Sequence, residues 1–151
     1  MIDETKKVAK LTDFGCAKLF ESSISTADMN GAIRGSLAWM APEVLANKGI
    51  RRKADIWSLG CLAIEMAVGG NPWGNELFAG NNFQAMLKIV DPNSFPPMPT
   101  DLSAEGQDFI KRCLTRDYDL RPSASDLLAH PWLVIEKNSS NEEQPQMTTQ
   151  S

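Results

Sequence analysis

An almost uninterrupted apolar run at residues 56–68 constrains the fold of this chain more than any other feature. Asp55 precedes the run as a candidate helix N-cap, and the Gly-Gly-Asn-Pro stretch at 69–72 is a strong stop signal. A helix that is apolar nearly all round lies inside a core, whereas a surface helix shows one apolar stripe. The run contains Glu65 and is too short to span a bilayer. We therefore predict a central helix with other helices packed around it.

Capping residues and apolar periodicity predict shorter helices on both sides of this run. Pro42 suits the first turn of a helix that continues through Leu45 and stops at 47–49. Asn81 and Asn82 have the residue type of helix caps and precede an amphipathic segment. The apolar side chains of that segment follow the i, i+3, i+4, i+7 spacing of one helix face: Phe83, Met86, Leu87 and Val90.

Two more helices are predicted after a rigid proline-rich loop at 92–99. Ser103 caps the first of them. Ser123 and Asp126 have the spacing of a capping box, with Asp in place of the usual Glu, and Pro131 ends the helix that they open. The helix after Ser103 has one shared apolar face: Phe109, Ile110, Cys113 and Leu114.

The remaining sequence divides into a short strand, a long polar loop and a polar tail. Residues 8–11 predict the strand. Residues 21–35 contain little apolar surface, and loops of this length are usually functional or disordered. Residues 138–151 are too polar to offset the entropy of ordering, so we expect disorder there. The predicted fold class is mainly α, with the folded part at residues 1–137.

The composition and charge of the chain argue against several classes of function and binding site. The net charge of −4 argues against a nucleic-acid partner and against a polybasic membrane anchor. Cys16, Cys61 and Cys113 are too scattered for a disulfide framework or a zinc site and suit a reducing compartment. A single histidine excludes a His-rich metal site, and the N-terminus has no signal-peptide pattern. We expect a soluble, cytoplasmic domain without nucleic-acid or membrane partners, and the sequence leaves its oligomeric state open.

Short motifs along the chain are weak singly but specific together. Asp-Phe-Gly at 13–15 could be an ordinary turn, and Ala-Pro-Glu at 41–43 could be an ordinary helix start. They occur in order with three further motifs: Lys-Ala-Asp-Ile-Trp-Ser-Leu-Gly-Cys at 53–61, Leu-Arg-Pro-Ser at 120–123 and His-Pro-Trp at 130–132. In this order and spacing the motifs resemble the C-terminal lobe of a eukaryotic protein kinase, from about Val8 to Leu133.

The resemblance extends to two groups of serine/threonine kinases. Residues 13–18 and 53–61 are similar to the upstream kinases of mitogen-activated cascades, the kinase-kinase-kinase type. Residues 35–43 are similar to the tyrosine-kinase-like serine/threonine group. The implied fold is a kinase C-lobe fragment, with an activation segment and helices around a central apolar helix.

The Asp-Phe-Gly motif implies cofactor-binding roles. By resemblance, Asp13 would ligate the Mg²⁺ that bridges the phosphates of ATP, because a hard cation prefers carboxylate oxygen. Phe14 would pack inward and set the position of Asp13, and Gly15 would permit a hinge. The alternative is that Asp13 is a simple turn carboxylate.

The segment after this motif would be the activation loop, residues 16–34, followed by a substrate-docking loop. The candidate phosphorylation sites are Ser22, Ser23, Ser25 and Thr26, although a solvated Ser-rich loop is the alternative for each. Ser36 would lie near the catalytic base of a complete kinase. Residues 37–40, with Leu37, Trp39 and Met40, would line the pocket for the residue after the phospho-acceptor.

Two further residue roles follow from the resemblance. Glu43 would form a buried, bidentate ion pair with Arg121, 78 positions away in sequence, and so join the docking loop to the helical core. The alternative is a Glu43 that merely favours a helix N-terminus and a solvated Arg121. Asp55 would accept hydrogen bonds from the catalytic loop of a complete kinase, with helix capping as the compatible alternative.

The catalytic parts of a kinase do not occur in this sequence. It has no His-Arg-Asp motif, no Gly-rich phosphate loop and no ATP-anchoring Lys motif, so the N-terminal lobe and the catalytic loop are absent and no general base is assigned. We expect a piece of a kinase that is inactive alone and binds neither ATP nor Mg²⁺ tightly. The complete enzyme would phosphorylate Ser or Thr of protein substrates in a signalling cascade, under an upstream kinase. The alternatives are a non-catalytic protein-binding module with a groove around residues 83–90 and an unrelated helical bundle.

Overall fold

The structure is a computed structural model that describes residues 9–12, 14, 37–49, 51–78 and 82–134. Within these ranges the chain is mainly α, as the sequence predicts. The α-helices are α1 (Pro42–Leu45), α2 (Ala54–Val68), α3 (Asn82–Val90), α4 (Ala104–Cys113) and α5 (Ala124–Leu128). Short 3₁₀ turns lie at Leu37–Trp39, Glu76–Phe78 and Pro131–Leu133.

Helix α2 is the centre of the described core. Trp57, Cys61 and Ile64 are fully or almost fully buried, and the helix ends at Gly69, whose φ of 66° is the left-handed conformation that glycine adopts without strain. The prediction that Asp55 is the N-cap is wrong. Lys53 occupies the N-cap position without a side-chain cap, and Asp55 lies in the first turn, where the helix dipole still favours its carboxylate.

Helices α2 and α4 pack closely against each other. The predicted apolar face of α4 is confirmed, because Phe109, Ile110, Cys113 and Leu114 are all buried. The contact is closest at Gly60 of α2, where an added Cβ would lie 2.7 Å from Cβ of Cys113. The absence of a side chain at Gly60 therefore permits this approach.

Helix α3 buries a face that only partly matches the one that the spacing predicts, since Met86 and Val90 are half-buried against the core. Ala85 and Ile89 are fully buried, whereas Phe83 and Leu87 are exposed. The helix packs against α1 and against the turn Leu37–Trp39. Hydrophobic spacing identified the helix, but its packing partners selected the buried side.

Local capping signals agree with the structure. Helix α1 runs from Pro42 to Leu45 as predicted, and the chain turns away through Asn47 and Gly49, which both have positive φ. The Ser103 hydroxyl accepts a hydrogen bond from the Gly106 N–H at 3.2 Å. The capping box is also formed: the hydroxyl of Ser123 accepts from the Asp126 N–H at 3.2 Å, and the Asp126 carboxylate accepts from the Ser123 N–H at 2.8 Å.

The predicted strand at residues 8–11 is wrong for the part that the structure describes. Ala9 forms an isolated bridge, and no strand occurs within the described ranges. Leu11 is exposed, and no described helix covers it. A strand is stable only when it pairs with a neighbouring strand, and a four-residue apolar segment does not show whether such a neighbour exists. The predicted tail at 138–151 lies outside the described residues.

No α-helix in the described ranges is long and apolar enough to cross a membrane.

Candidate functional site

The predicted substrate-docking loop, residues 37–40, is held by side chains from two other parts of the fold. Ala38 and Met40 are buried. The indole N–H of Trp73 donates a 3.0 Å hydrogen bond to the Ala38 carbonyl, and the Ser58 hydroxyl donates a 2.8 Å hydrogen bond to the Trp39 carbonyl. The backbone of this loop is therefore fixed at two consecutive residues.

The side chain of Trp39 adds a third attachment. Its indole N–H donates a 2.9 Å hydrogen bond to the Glu65 carboxylate. Ser58 and Glu65 are separated by seven positions on α2, so they lie on one face of that helix. Sequence patterns did not identify Ser58, Glu65 or Trp73 as site residues. The available signal was Glu65, because a single carboxylate inside an apolar helix needs a partner.

The structure brings Glu43 and Arg121 together in the predicted ion pair. The two terminal guanidinium nitrogens of Arg121 donate to the two carboxylate oxygens of Glu43, at 2.7 Å and 3.0 Å. The exposed fraction of the side chain is 0% for Arg121 and 11% for Glu43. This is the bidentate fork that matches a guanidinium to a carboxylate.

Further bonds attach Arg121 to the helices around it. Its Nη1 also donates to the Lys53 carbonyl at 2.8 Å, and its Nε donates to the Thr115 carbonyl at 2.8 Å. The guanidinium lies 5.3 Å from the ring centre of Trp57. Arg121 therefore links α1, the start of α2 and the segment after α4, which positions the base of the docking loop against the core.

Several predicted site residues lie outside the described residues. These are Asp13, Gly15, Ser36 and the candidate phosphorylation sites Ser22, Ser23, Ser25 and Thr26. Phe14 is described, with 69% of its surface exposed outside the apolar core of this chain, and its inward packing in a complete kinase stays a prediction. The core forms around α2, and none of its described side chains covers Phe14. Asp55 is exposed and has no hydrogen-bond partner among the described side chains.

The described residues provide an anchored surface and no reactive centre. They contain no group of three or more His, Cys, Asp or Glu side chains that could hold a metal ion. Burial raises the pKa of the thiols of Cys61 and Cys113 to about 12, which keeps both protonated and poorly nucleophilic at neutral pH. Both thiols are free.

His130 has a structural position. Its Nε2 lies 3.0 Å from Oδ2 of Asp108, and its Nδ1 accepts a hydrogen bond from the Trp132 N–H. The hydrogen bonds from His130 and then Arg112 hold the pKa of the Asp108 carboxyl below its usual value. His130 therefore fastens the turn Pro131–Leu133 to α4, a role that the sequence analysis did not assign.

Comparison with known proteins identifies the family that this chain matches. The model of the family described as "Protein kinase domain" matches residues 1–133. Mitogen-activated protein kinase kinase kinase A of Dictyostelium discoideum is 42% identical over 133 residues, which cover 87% of this chain and 13% of the relative. Mitogen-activated protein kinase kinase kinase 3 of Arabidopsis thaliana is 42% identical, and the match covers 87% of this chain and 20% of the relative. Mitogen-activated protein kinase kinase kinase 19 of Mus musculus is also 42% identical, and the match covers 83% of this chain and 10% of the relative. The chain thus spans no more than a fifth of the length of these relatives.

Proposed function

Because the chain belongs to the protein kinase domain family, we propose that it is the C-lobe part of a serine/threonine kinase that acts in a signalling cascade. The complete enzyme would transfer the γ-phosphate of ATP to Ser or Thr of a protein substrate and would itself be activated by an upstream kinase. The observation that supports this proposal best is the anchoring of residues 37–40. A docking loop for a peptide substrate needs a fixed backbone, and Trp73 and Ser58 each bind one of its carbonyl groups.

The proposal assigns cofactor roles by family resemblance. Asp13 would hold Mg²⁺ in the complete kinase, with Phe14 and Gly15 controlling its position, and Asp55 would support the catalytic loop. Phosphorylation at Ser22, Ser23, Ser25 or Thr26 would order the activation loop. The chain alone would transfer no phosphate, since phosphoryl transfer depends on a base, an anchoring Lys and a phosphate-covering loop that this sequence does not contain. A cytoplasmic location also stays a prediction.

A chimaeric kinase tests the proposal directly. Residues 1–133 would replace the matching segment of the catalytic domain of an active relative, and transfer of radiolabelled phosphate to a protein substrate would be measured. We expect an active chimaera, loss of activity on Asp13→Asn, and retained activity on the matched exposed change Asp101→Asn. An inactive but folded chimaera, or equal effects of the two substitutions, would contradict the proposal.

The isolated chain provides the complementary test. It should show no transfer of radiolabelled phosphate to a generic substrate and no ATP binding below the millimolar range. Activity of the isolated chain that disappears on Asp13→Asn would contradict the assignment as an inactive part.

One observation favours a second candidate, the non-catalytic protein-binding module. Phe83 and Leu87 are exposed one helical turn apart on α3, so they form a small apolar surface. Under this function, Leu87→Gln would abolish capture of a protein partner while the chimaera that carries the same substitution kept its catalytic rate. Under the kinase function alone, Leu87→Gln would change neither the capture of a protein partner nor the catalytic rate of the chimaera.

A further inference from the structure

A cleft away from the docking loop is lined by three basic side chains. It has a volume of about 330 Å³ and lies between α1, the end of α3 and the segment after α4. Lys48, Arg51 and Arg116 provide its positive charge, and Pro42, Val90 and Pro92 provide apolar walls. The chain as a whole carries a net charge of −4, so the positive charge in this cleft is opposite in sign to the net charge of the protein.

Arg116 is less exposed than Lys48 and Arg51, and it forms no ion pair with a described acidic side chain. Its terminal nitrogens donate only to backbone carbonyls, those of Ile89 and Ser94. Its Nε is buried and has no hydrogen-bond partner among the described residues. Burial lowers the pKa of Arg116, and Asp91 and Glu43 act on its charge without forming an ion pair with it, so the compensation is incomplete. An anion in the cleft would supply that compensation.

The other two basic side chains are available to a ligand. Lys48 is exposed, and its ammonium group has no partner within the described ranges. Arg51 lies 4.8 Å from the ring centre of Tyr118, and its contact with Asp119 is long, at 3.9 Å. Glu43 also lines the cleft, but both of its carboxylate oxygens accept hydrogen bonds from Arg121. The one acidic lining residue is therefore already neutralised.

We propose that this cleft binds a phosphorylated serine or threonine side chain in a peptide segment of a protein partner. A phosphate carries nearly two negative charges and three acceptor oxygens, which matches three separate cations better than one carboxylate does. The Tyr118 hydroxyl is a further potential donor in the lining. The cavity is larger than a phosphate group, so it also holds the stem of the side chain against the apolar walls. This inference does not depend on the proposed kinase activity.

The test measures binding of a fluorescent, otherwise neutral peptide with one phosphoserine to the full chain by anisotropy. The comparison peptides carry serine or glutamate at that position. We expect binding of the phosphopeptide alone, weakening with salt because the contacts are ionic. Arg51→Gln should weaken it by about 10-fold, as the loss of one charged hydrogen bond implies, and Lys48→Gln should do likewise. The matched control Arg52→Gln removes a neighbouring exposed charge that does not line the cleft, and it should change the affinity by less than about 2-fold.

The other outcomes contradict the proposal. Equal binding of the serine and phosphoserine peptides would exclude phosphate recognition. Equal losses in the Arg51 and Arg52 variants would show a diffuse surface charge in place of a cleft. Tighter binding to vesicles of phosphatidylserine than to the phosphopeptide would assign the basic surface to a membrane. If inorganic phosphate displaced the peptide at a concentration equal to that of the peptide, the cleft would bind free anions and would not recognise a peptide. Circular dichroism of each variant checks that the helices are retained.

Discussion

At the scale of single residues, Arg121 shows how one side chain joins distant segments. All three guanidinium nitrogens donate hydrogen bonds, to the Glu43 carboxylate and to the carbonyls of Lys53 and Thr115. Removing an arginine from water costs several kcal/mol, and only a complete set of acceptors offsets that cost. The arrangement consequently depends on every partner being present.

A double-mutant cycle tests the ion pair. Glu43→Ala or Arg121→Met should each lower the free energy of unfolding by about 3–5 kcal/mol, because each leaves a buried group without its partner. The double variant should cost much less than the sum. Arg121→Lys should be poorly tolerated, since an ammonium cannot form the fork. The measurement is urea denaturation of the full chain.

The control for this cycle is Arg112→Met. Arg112 bonds to Asp108 at 2.8 Å, but the side chains are 59% and 49% exposed. Loss of such a surface pair should cost less than about 1 kcal/mol. Effects at Glu43 and Arg121 that are as small as this and additive would contradict the interpretation of a buried pair.

The buried thiols give a second prediction at this scale. In a Cys16→Ser background, Cys61 and Cys113 should not react with Ellman's reagent in the folded chain at pH 8 and should react fully in urea. Their folded pKa of about 12 lies above the unfolded value of about 8.5. The unfolded thiols therefore lose protons first, and the free energy of unfolding should fall as pH rises from about 8.5 towards 12. Rapid labelling without urea would show that the two thiols are accessible.

At the scale of elements, the contact between α2 and α4 sets the core. Gly60 faces Cys113 and Leu114 so closely that no side chain fits between the helices. Ser58 and Glu65 of α2 hold the docking loop at the same time. Helix α2 therefore packs on α4 through Gly60 and holds residues 37–40 through Ser58 and Glu65.

Gly60→Ala measures how closely these helices pack. The new Cβ would lie 2.7 Å from Cβ of Cys113, and overpacking of this kind costs about 1–3 kcal/mol. Alanine also stabilises a helix interior by roughly 0.5–1 kcal/mol relative to glycine, so the net effect should be a smaller destabilisation. Gly70→Ala is the control, because no atom lies within 4 Å of its Cβ position and its effect should be near zero. A Gly60→Ala chain with raised stability in urea would show that the helices separate easily.

At the scale of the whole molecule, apolar surface is left uncovered on α2. Leu59, Leu62 and Met66 are exposed on one side of the helix, at the i, i+3, i+7 spacing. The sequence predicts a helix that is surrounded, whereas the described structure covers one side of it. Contiguous exposed apolar surface of this kind favours self-association.

The corresponding prediction concerns aggregation. The purified chain should bind a hydrophobic dye and lose soluble monomer as its concentration rises, and the pair Leu62→Gln with Met66→Gln should reduce both effects. The control is Leu128→Gln, a more exposed leucine on α5, which should leave both unchanged. Light scattering provides the measurement. A stable monomer at high concentration, without dye binding, would contradict the prediction.

The sequence alone determined the features that depend on short-range chemistry. Pro42 and the hydroxyls of Ser103 and Ser123 act within one helical turn, so the starts of α1, α4 and α5 could be predicted. The positive-φ stop at Gly69 likewise predicted the end of α2. The pairing of Glu43 with Arg121 could be predicted only from the family resemblance of the ordered motifs, because the separation of two residues along the chain does not give their distance in space.

The tertiary structure decided which surfaces meet. Apolar spacing predicted a buried face of α3 that includes Phe83 and Leu87, but in the folded chain the fully buried residues of this helix are Ala85 and Ile89. The exposed side of α2 and the attachment of the docking loop by Trp73 depend likewise on which segments fold against them. The physical reason is that burial is a property of a pair of surfaces: a side chain's hydrophobicity favours a contact, but only the assembled chain supplies its partner.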